Sequence, residues 1–194
     1  MKMRICIAGL LWLLAACGNV PTGDEANRPM FAPGHLLNLP QPGDLGRAVE
    51  WSQHIIVRHD GEVFAFDGRI SVTPDRFRLV GVDGLGRRAM GVTWEKSGRV
   101  TATRADWLPA QVRPGAMLAD IILLYWPADV LRRSLAGSGA TLREVGNTRT
   151  IALDGVDILR IDYLTGRHSA AGHLKYRNTA WGYDIDVQSI EVAP

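Results

Sequence analysis

Between Trp51 and Arg104 apolar and polar residues alternate, and tight-turn signals cut the alternation into short runs. This pattern limits the fold more than any other feature of the chain. His54 to His59 is predicted as a strand, and Asp60-Gly61 as a hairpin turn. Beyond it, Phe64, Phe66, Ile70 and Val72 fall on one face, with Ala65, Asp67, Arg69 and Ser71 on the other. That is the period-two pattern of a half-buried strand. Thr73-Pro74-Asp75 breaks it, Arg76 to Val82 is the next strand, and Asp83-Gly84-Leu85-Gly86 the next turn. Arg87 to Lys96 and Arg99 to Arg104 complete a meander. Connections this short favour antiparallel pairing, because parallel neighbours need long crossovers. Strands resume at Leu142–Val145, Thr148–Leu153, Val156–Thr165, Gly172–Arg177 and Tyr183–Val192, with Asp154-Gly155 as another turn.

The middle differs. Pro114 to Leu124 reads as a helix: Met117, Leu118, Ile121, Ile122 and Leu124 suit an apolar face, and Pro is tolerated in a first turn. Tyr125-Trp126-Pro127 ends it. A second, short helix starts at Pro127-Ala128-Asp129, and Gly137-Ser138-Gly139 stops it. The expected fold is mainly β with two central helices. A curved sheet or partial barrel hides one apolar face only by closing or by being covered. The two amphipathic helices are the expected cover.

The N-terminus has the parts of a secretory signal: basic Met1-Lys2-Met3-Arg4, an apolar run from Ile5 to Leu14, and Ala15-Ala16. The apolar run is short for a membrane span, which needs roughly 20 residues. Cys17 follows directly, and Leu14-Ala15-Ala16-Cys17 resembles the bacterial lipobox, whose cysteine is acylated and becomes the first mature residue. The expected organisation is a signal peptide over 1–16, a lipidated cysteine and flexible tether over 17–41, and a β domain over 42–194. Pro29, Pro33, Pro40 and Pro42 speak against regular structure in the tether, although Leu36, Leu37 and Leu39 could pack on the domain. More than one acyl chain makes a stable anchor, at about 0.8 kcal/mol per buried methylene. The residue after Cys17 is Gly18 and not Asp, the pattern of an outer-membrane lipoprotein.

The formal net charge of +2 includes Lys2 and Arg4, and no acidic residue lies beside them in the signal. The remaining side chains therefore balance, and no basic stripe points to nucleic acid. Both cysteines, Cys6 and Cys17, are accounted for by the signal and the lipid, so no disulfide or cysteine metal site is expected.

No catalytic constellation stands out, and no metal or cofactor is implied. The five histidines (His35, His54, His59, His168, His173) form no ligand pair of the H-E-x-x-H kind. Ser138 lacks the G-x-S-x-G frame of a nucleophile elbow. Gly84-Leu85-Gly86 lacks the following helix that dinucleotide binding needs. Asp60, Asp83 and Asp154 read as turn residues, and Asp184 and Asp186 as a solvated strand face. Two features stay open. Leu85 either folds back on the sheet, or protrudes into a partner or bilayer with Arg87 and Arg88 near headgroups. Met117, Ile121, Ile122, Leu124, Tyr125 and Trp126 either pack as plain core or form a lid over a cavity.

The order of lipobox, tether, meander, helices and further strands resembles the LolA/LolB family of lipoprotein carriers and outer-membrane receptors. The most specific match is Asp75-Arg76-Phe77-Arg78-Leu79 running on to Leu85-Gly86, similar to the LolB strand and loop in which an exposed leucine enters the membrane. Where LolB has Asn-Pro before that leucine, this chain has Asp83-Gly84. Leu123-Leu124-Tyr125-Trp126-Pro127, with Leu159 to Tyr163, looks more like an uncharacterised lipoprotein branch of the superfamily. The resemblance implies an unclosed antiparallel β-barrel under a helical lid, with an apolar cavity. It implies a membrane-insertion loop at Gly84, Leu85 and Gly86, with cavity and lid residues as above. It implies outer-membrane lipid as a partner, a periplasmic LolA-like carrier as donor, and an acyl chain, a lipoprotein or an aryl-polyene-like lipid as cargo.

The expectation is a non-enzymatic, outer-membrane-anchored lipoprotein, facing the periplasm, that binds lipid or lipoprotein acyl chains and delivers them to that membrane. The alternative is a structural lipoprotein that docks another envelope protein and carries no lipid.

Overall fold

Two Asp-Gly pairs turn the chain as expected. Asp60 and Gly61 have φ of 50° and 79°, and Asp154 and Gly155 have φ of 50° and 83°. Positive φ at both central residues matches the right-handed twist of the flanking strands, so each pair closes a tight hairpin. The structure is a computed structural model that describes residues 28–109, 112–166 and 171–192. Cys17 and the signal lie outside the described residues.

The strands are β1 (Met30–Ala32), β2 (His35–Leu36), β3 (Val49–His59), β4 (Glu62–Thr73), β5 (Arg76–Val82), β6 (Arg88–Glu95) and β7 (Val100–Arg104). Helices α1 (Pro114–Tyr125) and α2 (Ala128–Ser134) follow. Then come β8 (Ala140–Val145), β9 (Thr148–Leu153), β10 (Val156–Tyr163), β11 (Ala171–Asn178) and β12 (Tyr183–Glu191). Ten strands form one antiparallel sheet in the order β7-β6-β5-β4-β3-β12-β11-β10-β9-β8. Two meanders meet where β3 pairs with β12, from Trp51 opposite Glu191 to His59 opposite Tyr183. The edge strands β7 and β8 do not pair, so the sheet is not closed into a barrel.

One face of the sheet is apolar. Trp51, Ile55, Ile70, Leu79, Ile161, Tyr176 and Val187 alternate with exposed or half-exposed neighbours and, with Val92 and Ile151, join one core with the helices. α1 departs from the one-sided helix expected above. Ten of its residues are buried, from Pro114 to Leu124 with Met117 half-buried. A helix that is apolar all round belongs inside a protein. Its C-terminal end is received by the second meander: Arg149 Nη1 donates to the Leu123 carbonyl at 2.5 Å, and the Tyr163 hydroxyl to the Leu124 carbonyl at 2.6 Å. These carbonyls have no partner within the helix, and a cation suits this end of the helix dipole.

Residues 28–41, expected in the tether, are packed. β1 and β2 pair, and Phe31, Ala32 and Leu37 are buried beside α1. The prolines do not interrupt the strands of this hairpin: Pro29 precedes β1, and Pro33 sits in the turn before Gly34, whose φ is 77°. The Trp126 indole donates to the Gln41 carbonyl at 3.2 Å, which fixes the end of the segment.

Candidate functional site

β3 and β4 are 11 and 12 residues long, and α1 is 12. A strand of that length spans about 40 Å, whereas such a helix spans about 18 Å. α1 therefore covers only part of the inner face of the β3–β4 hairpin. Val57, Phe64 and Phe66, beyond its reach, are half-buried around an open space. The result is a cavity of about 510 Å³ between α1 and strands β3 to β6 and β12. That size is typical of a small-molecule site.

From α1, Ala116, Met117, Asp120, Ile121 and Leu124 line the cavity. With a turn of about 100° per residue, these five share one arc of the helix. Ile55, Leu79, Met90, Ile185 and Val187 supply much of the sheet wall. The mouth is framed by Val63, Asp83, Trp107, Arg113 and Trp181.

Three of the six residues expected to form the lid face this space: Met117, Ile121 and Leu124. The other three do not. Ile122 and Trp126 are four apart on the opposite arc of α1 and are fully buried. Trp126 packs with Trp94 at 5.8 Å and with Phe77 at 6.4 Å between ring centres. Tyr125 stacks on Trp51 at 4.5 Å and accepts a hydrogen bond from Gln53 Nε2 at 2.6 Å. They are core and not cavity wall: the helix carries apolar residues on both arcs, and only Asp120 distinguishes the one that meets the space.

Leu85 does not fold back: it is 82 % exposed at the tip of the β5–β6 loop. Asp83 organises that loop. Its Oδ1 accepts the backbone N–H groups of Leu85 at 3.0 Å and Arg87 at 2.9 Å, and its Oδ2 accepts Arg87 Nε at 2.7 Å. Burial pushes the Asp83 carboxyl up, but the Arg87 guanidinium and these backbone donors outweigh it and hold the group below its ordinary value. Gly86 takes φ of 76°, which a glycine permits, whereas Gly84 has no such requirement and open space around it. The Arg87 guanidinium lies 4.8 Å over the ring of Trp107, which is 48 % exposed. The leucine loop is thus tied to the frame of the cavity mouth, where Arg113 similarly covers Trp181 at 4.5 Å.

One charged group on the wall escaped the reading of the sequence. Asp120 is 6 % exposed in the middle of α1. The Tyr176 hydroxyl donates to its Oδ1 and the Tyr183 hydroxyl to its Oδ2. Asn178 Nδ2 supports the pair, donating to Tyr176 Oη at 3.2 Å and to the Phe31 carbonyl at 3.3 Å. Burial raises the Asp120 carboxyl to about 7, against the lowering effect of the two tyrosines. A lone acid within Met-Leu-Ala-Asp-Ile-Ile was the available signal, since an acid inside an apolar helix needs partners.

Several of the remaining candidates have structural partners, and His168 lies outside the described residues. Ser138 Oγ donates to the Leu135 carbonyl at 2.6 Å and braces its turn. His54 meets Asp67 at 2.8 Å, His173 meets Asp186 at 3.0 Å, and Arg177 meets Asp184 at 2.6 Å. Among the described residues, no group of three or more His, Cys, Asp or Glu side chains is placed to hold a metal. No helix among them is long and apolar enough to cross a membrane.

A family profile described as "Protein of unknown function (DUF3261)" matches residues 50–191. No curated protein matches the chain. Among solved structures, the chain is similar to a DUF1329 family protein from Desulfovibrio piger, at 5 % identity and a TM-score of 0.28, over 76 % of this chain and 86 % of that one.

Proposed function

Starting from the premise that this chain belongs to the DUF3261 family of proteins of unknown function, we propose that it is a lipid-binding, membrane-anchored lipoprotein. Its apolar cavity holds lipid or lipoprotein acyl chains and passes them to the outer membrane. The observation that carries this reading is the cavity of about 510 Å³, lined mainly by aliphatic and aromatic side chains. Such a space favours a hydrocarbon chain through burial, at about 25 cal/mol per Å² of apolar surface removed from water.

Two further observations support it. The lipobox-like Leu14-Ala15-Ala16-Cys17 would acylate Cys17 and hold the domain at a membrane. The exposed Leu85, linked through Arg87 to Trp107, places an apolar probe beside the cavity mouth. On this reading Leu85 enters the bilayer, and Arg87 and Arg88 meet headgroups. Cargo moves without covalent chemistry. The LolA/LolB likeness of the order of elements agrees with this, with a periplasmic carrier as donor and an acyl chain or aryl-polyene-like lipid as cargo.

The test is native mass spectrometry, with lipid extraction, of the protein purified from a periplasm with Cys17→Ala. A defined bound lipid is the expected result. A clean apo mass, unchanged after exposure to envelope lipids, would overturn the reading in favour of a lipoprotein that docks a protein partner.

A further inference from the structure

The cavity wall is not uniformly apolar: donors such as Trp107 and Arg113 stand at its mouth, whereas the polar groups around Asp120 share another character. Asp120, Tyr183 and Gln53 all line it. The Tyr183 hydroxyl spends its proton on Asp120 Oδ2. The Tyr176 hydroxyl, behind it, spends its proton on Oδ1. Each carboxylate oxygen has two acceptor sites, so both keep one uncommitted. Gln53 donates its amide nitrogen to the Tyr125 hydroxyl. Its carbonyl oxygen takes part in no hydrogen bond among the described residues, although the side chain is buried. What this part of the wall has left to offer is chiefly acceptor capacity.

A purely structural role accounts poorly for this arrangement. A tie between α1 and the sheet needs one hydroxyl or amide, not a carboxyl whose burial is costly. Among the described residues no Lys, Arg or His side chain pairs with Asp120. Arg113, a cation of the cavity frame, lies over the ring of Trp181. The carboxyl is therefore held by neutral donors and faces a space that a ligand would fill.

We propose that the cavity selects an amphiphile whose polar end donates hydrogen bonds, an amine or a hydroxyl seated at Asp120, and that it discriminates against an anionic carboxylate end. This rests on the lipid-binding reading above and narrows its cargo class. A donor completes the acceptor sites of Asp120 and Gln53, and an ammonium also neutralises the buried charge. A carboxylate would bring a second negative charge into the same apolar space.

The experiment is displacement of the neutral dye Nile red from the purified protein, freed of detergent, by dodecylamine, dodecanol and dodecanoate below their micellar concentrations, in a buffer alkaline enough to ionise Asp120, whose carboxyl sits at about 7. The amine should displace the dye at about tenfold lower concentration than the carboxylate, the size expected of one charge-assisted hydrogen bond, with the alcohol between. Asp120→Asn should bring amine and carboxylate together, each displacement being read against that variant's own affinity for Nile red. Should that variant fail to fold, Tyr183→Phe leaves the carboxylate one donor short and should widen the lead of the amine. Equal displacement by all three, or an order untouched by Asp120→Asn, overturns the selection while leaving an apolar carrier. Failure of Nile red to bind at all overturns both the selection and the lipid-binding reading.

Discussion

Asp120 on α1 and Tyr183 on β12 are joined by a hydrogen bond in which the tyrosine hydroxyl donates to the carboxyl. They are 63 residues apart in the chain. The bond links the central helix to the strand that joins the two meanders, at the wall of the cavity.

The first prediction follows from its proton. The folded carboxyl of Asp120 sits near 7, above its ordinary value of 3.8, while Tyr176 and Tyr183 facing it stay protonated. Between those two values the folded chain holds a proton that the unfolded chain has lost, so stability falls as pH rises through that window. Asp120→Asn removes this term. Thermal melts of the two proteins should therefore diverge in favour of Asn, by on the order of several degrees, from pH 4.5 to pH 7.5. Parallel curves would refute it.

A second prediction concerns the leucine tip. Leu85→Glu should leave the melting temperature within a degree or two, because the side chain is exposed and packs on nothing. The same change should abolish flotation with vesicles of phosphatidylethanolamine and phosphatidylglycerol. Flotation equal to the wild type would remove the loop from the mechanism.

In the same loop, Gly86→Ala and Gly84→Ala should part company. Gly86 is held at positive φ and Gly84 is not. The first change should cost about 1 kcal/mol and the second close to nothing, read from urea melts.

Cavity wall and core should also separate. Ile121→Trp adds volume to the open space, so it should reduce Nile red binding with little loss of stability. Trp126→Ala empties the Phe77–Trp94 cluster and should cost about 3–5 kcal/mol. If Ile121→Trp destabilises as much as Trp126→Ala, the space beside Ile121 is not open.

The end of α1 supplies the last test. Arg149 is buried, bonded to the Leu123 carbonyl and paired with Glu144 at 2.8 Å. Arg149→Met should cost about 2–4 kcal/mol, because it leaves a helix carbonyl and a carboxylate short of a partner. Tyr163→Phe removes the neighbouring hydroxyl and should cost about 1 kcal/mol. Both are measured by chemical denaturation.

Local chemistry made much of this fold legible. Asp60-Gly61 and Asp154-Gly155 mark their hairpins, Pro114 and Pro127 bound α1, and alternation identifies the inner face of β4. What escaped depends on distant partners. Nothing near Asp120 in the chain announces Tyr176 or Tyr183, 56 and 63 residues on. Within α1 only Asp120 separates the arc of Ile121, at the cavity, from that of Ile122, in the core, because the other residues of both arcs are apolar. The β1–β2 hairpin was hidden among prolines before, after and within its turn, and its burial needed the surface of α1, far along the chain.

The pairing of β3 with β12 also bears on how the protein reaches its folded state. The first and last strands of the large sheet are neighbours, with Trp51 opposite Glu191. Contacts this distant in sequence form slowly, because a long loop must close before they repay it. A chain emerging N-terminus first can complete the β3–β7 meander early, but β3 keeps a bare edge until the final strand arrives. Exposed edges of that kind recruit other strands. Folding is therefore the stage at which this chain most needs protection from its own copies, and shortening the wait for β12 would protect it more than strengthening any single hairpin.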